Sequence, residues 1–408
     1  MIPDSLKIMM VAPTSFFSSY GCHVRIAEEA DALRSLGHQV TVVTYHNGGA
    51  WNGLPIQRTP AIPWRTNYEV GSSRHKLAFD LLLGAKVLEV ALRERPHIIH
   101  AHLHEGALVS FPAHLLSRAP LVFDFQGSLT GEMVDHHFLK KDGWFYQPAL
   151  RVERMINNLP DAVIASSQRG VRLLRDNFGC NRERVLVVPD CVNAHIFRPD
   201  TLSADEKRAL KAQLGIPDNR KVVVYLGLLA EYQGTGLLLQ AARELLRTRT
   251  DVHFLIMGYP GAEVYRAQAE QIGIGAHTTF TGRIPYAHAP RYLALGDAAV
   301  APKVSASEGI GKVLNYMAMG LPTVTFDTEV SREYLSHWGI YARTGDVGDL
   351  ARALSLAVDE RSRPRGNALR EHALKHYTWE WASKRIVDLY QTCLQSGRAV
   401  VPLPRPRA

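Results

Sequence analysis

The stretch Glu308-Gly309-Ile310-Gly311-Lys312-Val313-Leu314-Asn315-Tyr316-Met317-Ala318-Met319-Gly320-Leu321-Pro322 reads as a turn, a short apolar helix and a stop. Gly309 and Gly311 loosen the turn, the run from Val313 to Met319 must be buried, and Gly320 with Pro322 ends it. Thr323-Val324-Thr325-Phe326 follows at once as a β-branched, buried strand. A helix feeding a fully apolar strand is one step of an α/β fold with a parallel sheet. At the front of the helix, the positive dipole end and backbone N–H groups are expected to meet an anion, which makes Gly309, Ile310, Gly311 and Val313 donor-binding candidates. Glu308 can accept hydrogen bonds from sugar hydroxyls and Lys312 can meet a phosphate. The combination suits an activated sugar.

The same alternation runs outward in both directions. Lys221–Gly227, Val252–Met257, Thr278–Thr281 and Ala298–Ala301 precede the quoted stretch as further apolar runs. Earlier still come Lys7–Ala12, Gln39–Thr44, His97–Ala101, Leu121–Phe125, Ala162–Ala165 and Val185–Val188. Helical patterns fall between them, among them His23–Leu36 and an amphipathic Leu77–Leu92 that reads as a helix packed on a sheet. Pro189 to Pro199 marks a crossover. The fold class expected is α/β, with two doubly wound Rossmann-like domains facing a central cleft, where ligands bind beyond the carboxyl ends of the strands. The expected boundaries are residues 1–195 for the first domain, 196–376 for the second, a returning helix over 377–397 and a disordered tail over 398–408.

A chain of 408 residues is long enough for two cores. Its 46% hydrophobic and 21% charged residues describe a soluble globular protein. The net charge of +8 suits phosphate-bearing ligands or an anionic membrane surface. Nucleic acid is disfavoured, because no basic run is interleaved with aromatics. Four scattered cysteines without a C-x-x-C pair point to reduced thiols and against a structural metal. No run reaches membrane-spanning length, and Leu6–Pro13 lacks a basic flank and cleavage site, so a cytoplasmic protein is expected, with peripheral contact at the inner face of a membrane admitted.

These motifs together resemble glycosyltransferases of the GT-B fold. The resemblance rests on the Gly21 loop, Gly37-His38, His100-Ala101-His102 and Val188-Pro189-Asp190-Cys191-Val192-Asn193 in the first half. In the second half it rests on Leu226-Gly227-Leu228 to Gln233-Gly234, Met257-Gly258, Phe280-Thr281-Gly282-Arg283 and the Glu308–Pro322 stretch. Their order and spacing resemble the retaining glycosyltransferase family 4. The resemblance implies a nucleotide diphosphate sugar donor, an acceptor glycan that is lipid-linked or a small molecule, and no cofactor. It implies Glu308 and Lys312 as catalytic, with Gly21, Gly227, Gln233, Arg283 and Asn315 on the donor side. His102, Asp124 and Gln126 are the weaker acceptor-side candidates. A metal from His100, His102 and His104 is not expected, because only Glu105 joins them locally.

Departures from the family pattern are as informative. The arginine and lysine that ordinarily clamp the diphosphate are Leu228 and Gln233 here. A neutral pair cannot offset charge on a leaving diphosphate, and Lys312, with Lys303 as second candidate, is expected to supply it. Asn315 stands where a second glutamate is usual, in a loop one residue shorter, and Gln126 stands where a histidine is usual. No Asp-x-Asp is present to hold a divalent ion. A double displacement needs two carboxylates about 5–5.5 Å apart, and Glu308 has no evident partner. The family therefore implies same-face transfer with retention, aided by domain closure. Two other readings stay open: a nucleotide-sugar epimerase of the same fold, and a non-catalytic sugar-nucleotide-binding protein.

Overall fold

The computed structural model describes residues 3–17, 21–61, 76–135, 138–305 and 309–396. Glu308 and the tail beyond 396 lie outside the described residues. The chain forms two compact units, one built from Met1–Asp190, Ser307–Gly309 and Trp379–Ala408, the other from Cys191–Ala306 and Ile310–Thr378.

The first unit contains β1 (Lys7–Ala12), β2 (Gln39–Thr44), β3 (Ile56–Arg58), β4 (Ile98–His102), β5 (Leu121–Phe125), β6 (Ala162–Ala165) and β7 (Val185–Val187). They form one parallel sheet in the order β3-β2-β1-β4-β5-β6-β7. The second unit contains β8 (Lys221–Leu228), β9 (Val252–Tyr259), β10 (Thr278–Phe280), β11 (Ala298–Ala301), β12 (Thr323–Phe326) and β13 (Ile340–Ala342). Their order is β10-β9-β8-β11-β12-β13, again all parallel.

Each order reverses direction once, at β1/β4 and at β8/β11. Loops on the two sides of a reversal run apart and open a crevice at the strands' carboxyl ends. The strands read as unbroken apolar runs because both sheet faces are covered. In β8, Val222 and Val224 enter one buried cluster while Val223 and Tyr225 enter another. In β9, Leu255 and Met257 divide from Phe254 and Ile256 in the same way.

Two edge strands, β3 and β13, were not expected from sequence. Each has three residues, and β3 (Ile56-Gln57-Arg58) is half-buried throughout and offers no apolar run. The helix expected from His23 begins at Gly21 (Gly21–Ser35), so Gly21 opens a helix instead of lying in the preceding loop. The closing helix Trp379–Ser396 belongs to the first unit, where the Tyr390 hydroxyl lies 2.5 Å from His100 Nδ1.

Candidate functional site

The second unit brings the decisive side chains together at its β8/β11 reversal. Helix Lys312–Ala318 buries Val313, Leu314, Tyr316, Met317 and Ala318. It stops because Gly320 adopts φ 70° and returns hydrogen bonds, Gly320 N–H to Met317 O (2.9 Å) and Leu321 N–H to Tyr316 O (3.0 Å). The Leu226 N–H donates to the Tyr316 hydroxyl at 2.8 Å, fixing the helix against the end of β8. Lys312 and Asn315, three residues apart, share the half-buried face.

Lys312 Nζ donates to Gln233 Oε1 at 2.9 Å and to the Tyr225 hydroxyl at 3.3 Å. It also lies 4.4 Å from the centre of the Tyr225 ring, an attractive cation–π placement. Tyr225 in turn donates to Leu228 O at 2.6 Å, and burial pushes its phenol well up, so it stays a neutral donor and acceptor. Gly227 is required beside them. Its φ is 147°, and a Cβ there would come within 2.6 Å of Lys312 Nζ. At Gly234 (φ 75°) a Cβ would sit 1.9 Å from Pro302 O, so the turn carrying Gln233 packs directly on the end of β11. Lys303, at 2% exposure, follows that same strand. Gln233 and Lys312 thus converge from opposite flanks of the reversal, and the ammonium occupies the neighbourhood of the amide that replaces the expected lysine.

Several expected donor residues are placed differently. Ile310 and Val313 are core residues, at 4% and 0% exposure, so neither side chain reaches a ligand. Val313 N–H donates to Ile310 O at 3.0 Å, which closes one of the donors expected to face an anion. The helix has seven residues, too short for a strong dipole. Gly309 and Gly311 form the half-buried turn ahead of it. Arg283 is exposed after β10, with its guanidinium 5.2 Å from the Tyr259 ring centre at the end of β9. Gly21 has no neighbour within 4 Å of a built Cβ, so no close approach by the chain's own atoms demands glycine there.

The first unit's reversal is of another kind. Asp124, fully buried at the end of β5, receives Arg25 Nε (2.9 Å) and Nη2 (2.9 Å), and Gln126 Nε2 at 2.9 Å. His102 Nδ1 lies 3.0 Å from the same carboxylate. Arg25 also donates to Asp190 Oδ1 (3.0 Å) and Val188 O (3.2 Å). Burial alone would raise the Asp124 pKa, but the Arg25 charge and the His102 hydrogen bond outweigh it and hold the carboxyl far below the usual range. Burial, then His100, lowers His102, so its ring is neutral and its Nδ1–H points to Asp124. Asp124 therefore spends both carboxylate oxygens inside the fold, and His102 gives it Nδ1 while its Nε2 is buried without a hydrogen-bond partner among the described residues. Both side chains are wholly buried, contrary to the expectation that they line an acceptor pocket. Gln126 remains half-buried at the strand end.

Arg25 was not anticipated. Its only sequence signal is an arginine beside buried Ile26, Glu29 and Ala30 in one helix. Glu29, not expected either, brings a carboxylate to His100 and His102, with donor atoms within 4.8 Å of one another. His100 Nδ1 is 3.1 Å from Glu29 Oε1 and 2.5 Å from the Tyr390 hydroxyl, while both Glu29 carboxylate oxygens and Nε2 of His100 and His102 are buried without a hydrogen-bond partner among the described residues.

A pair of parallel-sheet units with a lysine-bearing reversal in the second defines the GT-B class. Two family profiles cover most of the chain: "Glycosyl transferases group 1" over residues 206–376 and "Glycosyl transferase 4-like domain" over residues 20–191. The chain belongs to this glycosyltransferase family. It is 27% identical to a phosphatidyl-myo-inositol mannosyltransferase of Mycobacterium leprae over 405 residues, 97% of this chain and 99% of that one. A D-inositol 3-phosphate glycosyltransferase of Segniliparus rotundus is 26% identical over 60% of this chain and 54% of its own. Among solved structures, a sucrose-phosphate synthase of Thermosynechococcus elongatus superposes with TM-score 0.79 at 18% identity, covering 95% of this chain and 99% of that one. Anabaena HepE with UDP and glucose superposes with TM-score 0.75 at 19% identity, over 95% and 99%.

Proposed function

We propose that this glycosyltransferase moves a hexose from a nucleotide diphosphate sugar to an acceptor hydroxyl with retention, and that protein side chains, not a divalent metal, balance the leaving diphosphate. The acceptor oxygen bonds to the anomeric carbon on the face that the phosphate oxygen leaves. The C1–O bond to phosphate breaks, and the acceptor's proton passes to the departing phosphate oxygen. Such a step depends on positioning and on stabilising developing charge. Lys312 serves that charge, with Gln233 orienting the ammonium. Asn315 meets the ribose, and Glu308 orients the sugar. Arg283 on Tyr259 flanks the base.

The observation that carries this reading is Lys312 Nζ at 2.9 Å from Gln233 Oε1, beside Gly227, at the kind of reversal where doubly wound sheets take ligands. The acceptor is a lipid-linked hydroxyl, a choice supported by the phosphatidyl-myo-inositol mannosyltransferase relative. The test is a donor panel with release of nucleoside diphosphate as signal, followed by NMR of the product anomer. Retention without loss of rate in a chelator is the expected result, and Glu308→Ala should abolish transfer. An inverted product, or loss of activity on chelation, would overturn the proposal. Donor binding with neither transfer nor isomerisation would favour a sugar-nucleotide sensor.

A further inference from the structure

In the first unit, the segment from Phe138 to Met155 presents an apolar face that folding leaves uncovered. Phe138 is 58% exposed, Trp144 82% and Phe145 57%. Helix Tyr146–Asn158 continues that face with Val152 at 47% and Met155 at 50% exposure. Phe145, Pro148, Val152 and Met155 recur at helical spacing and form one outward stripe, whereas Glu153, Ile156 and Asn157 form the buried one. Isolated exposed apolar residues are ordinary, but a helical stripe headed by the packed pair Trp144 and Phe145, whose ring centres are 3.9 Å apart, marks an interaction surface.

This stripe is held in place. Buried Glu153 accepts the Leu129 N–H (2.9 Å), the Thr130 N–H (2.9 Å) and the Thr130 hydroxyl (2.5 Å), which locks the helix to the start of helix Leu129–Asp135. Phe138 and Leu139 N–H groups both return to Met133 O, Gly143 N–H to Lys140 O and Tyr146 N–H to Gly143 O. An ordered backbone therefore points the aromatics outward.

Charge selects the occupant. Lys140, Lys141, Arg151 and Arg154 are exposed along this segment, against one exposed acid, Asp142. Arg151 and Arg154 lie on the flank of the helix beside the apolar stripe. Aromatic and aliphatic groups beside a basic flank match the boundary between anionic headgroups and acyl chains. None of the described helices is long and apolar enough to cross a membrane, so contact would be superficial. The helix runs down to β6, so its start, with Trp144 and Phe145, lies at the carboxyl edge of the first sheet, where a lipid-linked acceptor has to arrive.

We propose that this face seats the first unit on an anionic lipid bilayer, a step that rests on the lipid-acceptor reading only for its purpose and not for its evidence. The test is cosedimentation of the full chain with phosphatidylcholine vesicles, with and without phosphatidylglycerol, at low and high salt. The chain should sediment with phosphatidylglycerol-containing vesicles and release in high salt. Trp144→Gln/Phe145→Gln and Lys140→Glu/Lys141→Glu should each lower partitioning by about tenfold or more. Melting temperature and donor turnover without vesicles should stay as in the wild type. Equal binding to neutral and anionic vesicles, or variants that bind like the wild type, would overturn the proposal. So would vesicle-blind wild type that Trp144→Gln converts from dimer to monomer in sedimentation velocity, since the stripe would then bind a second copy. Vesicle binding is read without donor or acceptor. A chain that binds vesicles but glycosylates only soluble acceptors refutes the acceptor reading and leaves this surface standing.

Discussion

The two sheet reversals use charge in opposite ways. In the first unit Arg25, Asp124 and His102 are buried against one another, and Asp190 closes the group from β7's end. In the second, Lys312 is half-buried and touches an amide oxygen and a phenol. A buried guanidinium–carboxylate pair cannot be redirected toward a ligand without leaving a charge stranded. An ammonium against an amide and an aromatic face gives up little when a diphosphate arrives. The first reversal is therefore closed on itself, and the proposed donor role falls to the second.

The sharpest way to break this contrast is Asp124→Ala, which takes the two-pronged carboxylate partner from buried Arg25 and leaves it Asp190 and the Val188 carbonyl. It should cost about 3–5 kcal/mol in urea unfolding, and a loss below about 1 kcal/mol would show that the network is not structural. Gly227→Ala should be milder in stability, about 1–3 kcal/mol of backbone strain at positive φ. Its added Cβ also displaces Lys312, so nucleoside diphosphate affinity should fall in the same variant. Intact affinity would separate Gly227 from the lysine.

The smallest effect is in pH. Burial lowers the pKa of His102, and burial followed by Arg220 lowers that of His253 to about 4. Both rings stay neutral in the fold while the unfolded chain protonates near pH ~6.5. Their contribution is complete above that value and declines as pH falls toward each folded pKa. Asp124 runs at lower pH: its depressed pKa gives stability that is present above about pH 4 and lost only in stronger acid. Melting temperature should thus decline in mild acid, and His253→Gln should flatten part of that decline. A flat profile in the wild type would contradict neutral buried histidines.

What the sequence reveals follows from burial. Lys221–Tyr225 is legible as a strand because both faces are covered and every residue is apolar or an aliphatic stem. Ile56–Arg58 is not, since Gln57 and Arg58 leave no apolar run in a half-buried edge, and Ile340–Ala342 was missed although the equally short edges Val185–Val187 and Thr278–Phe280 were not. Lys312 and Gln233 each stand out by motif position, yet their meeting spans 79 positions and depends on β8 lying beside β11. Arg25 reaches Asp124 across 99 positions and Asp190 across 165, which no local pattern announces. Ile310 and Val313 show the converse: proximity to a motif does not turn a side chain toward its ligand. The core claims them because they are the apolar members of the turn and helix.

The central claim is that Lys312 holds the leaving diphosphate from the place where Gln233 meets it. Calorimetric titration of the nucleoside diphosphate against the wild type, Lys312→Gln and the exchange Lys312→Gln/Gln233→Lys tests this directly. One lost charge-assisted contact predicts roughly 10- to 100-fold weaker binding for Lys312→Gln, and the exchange should recover most of it. Unchanged affinity in Lys312→Gln, or an exchange no better than the single variant, would contradict the claim.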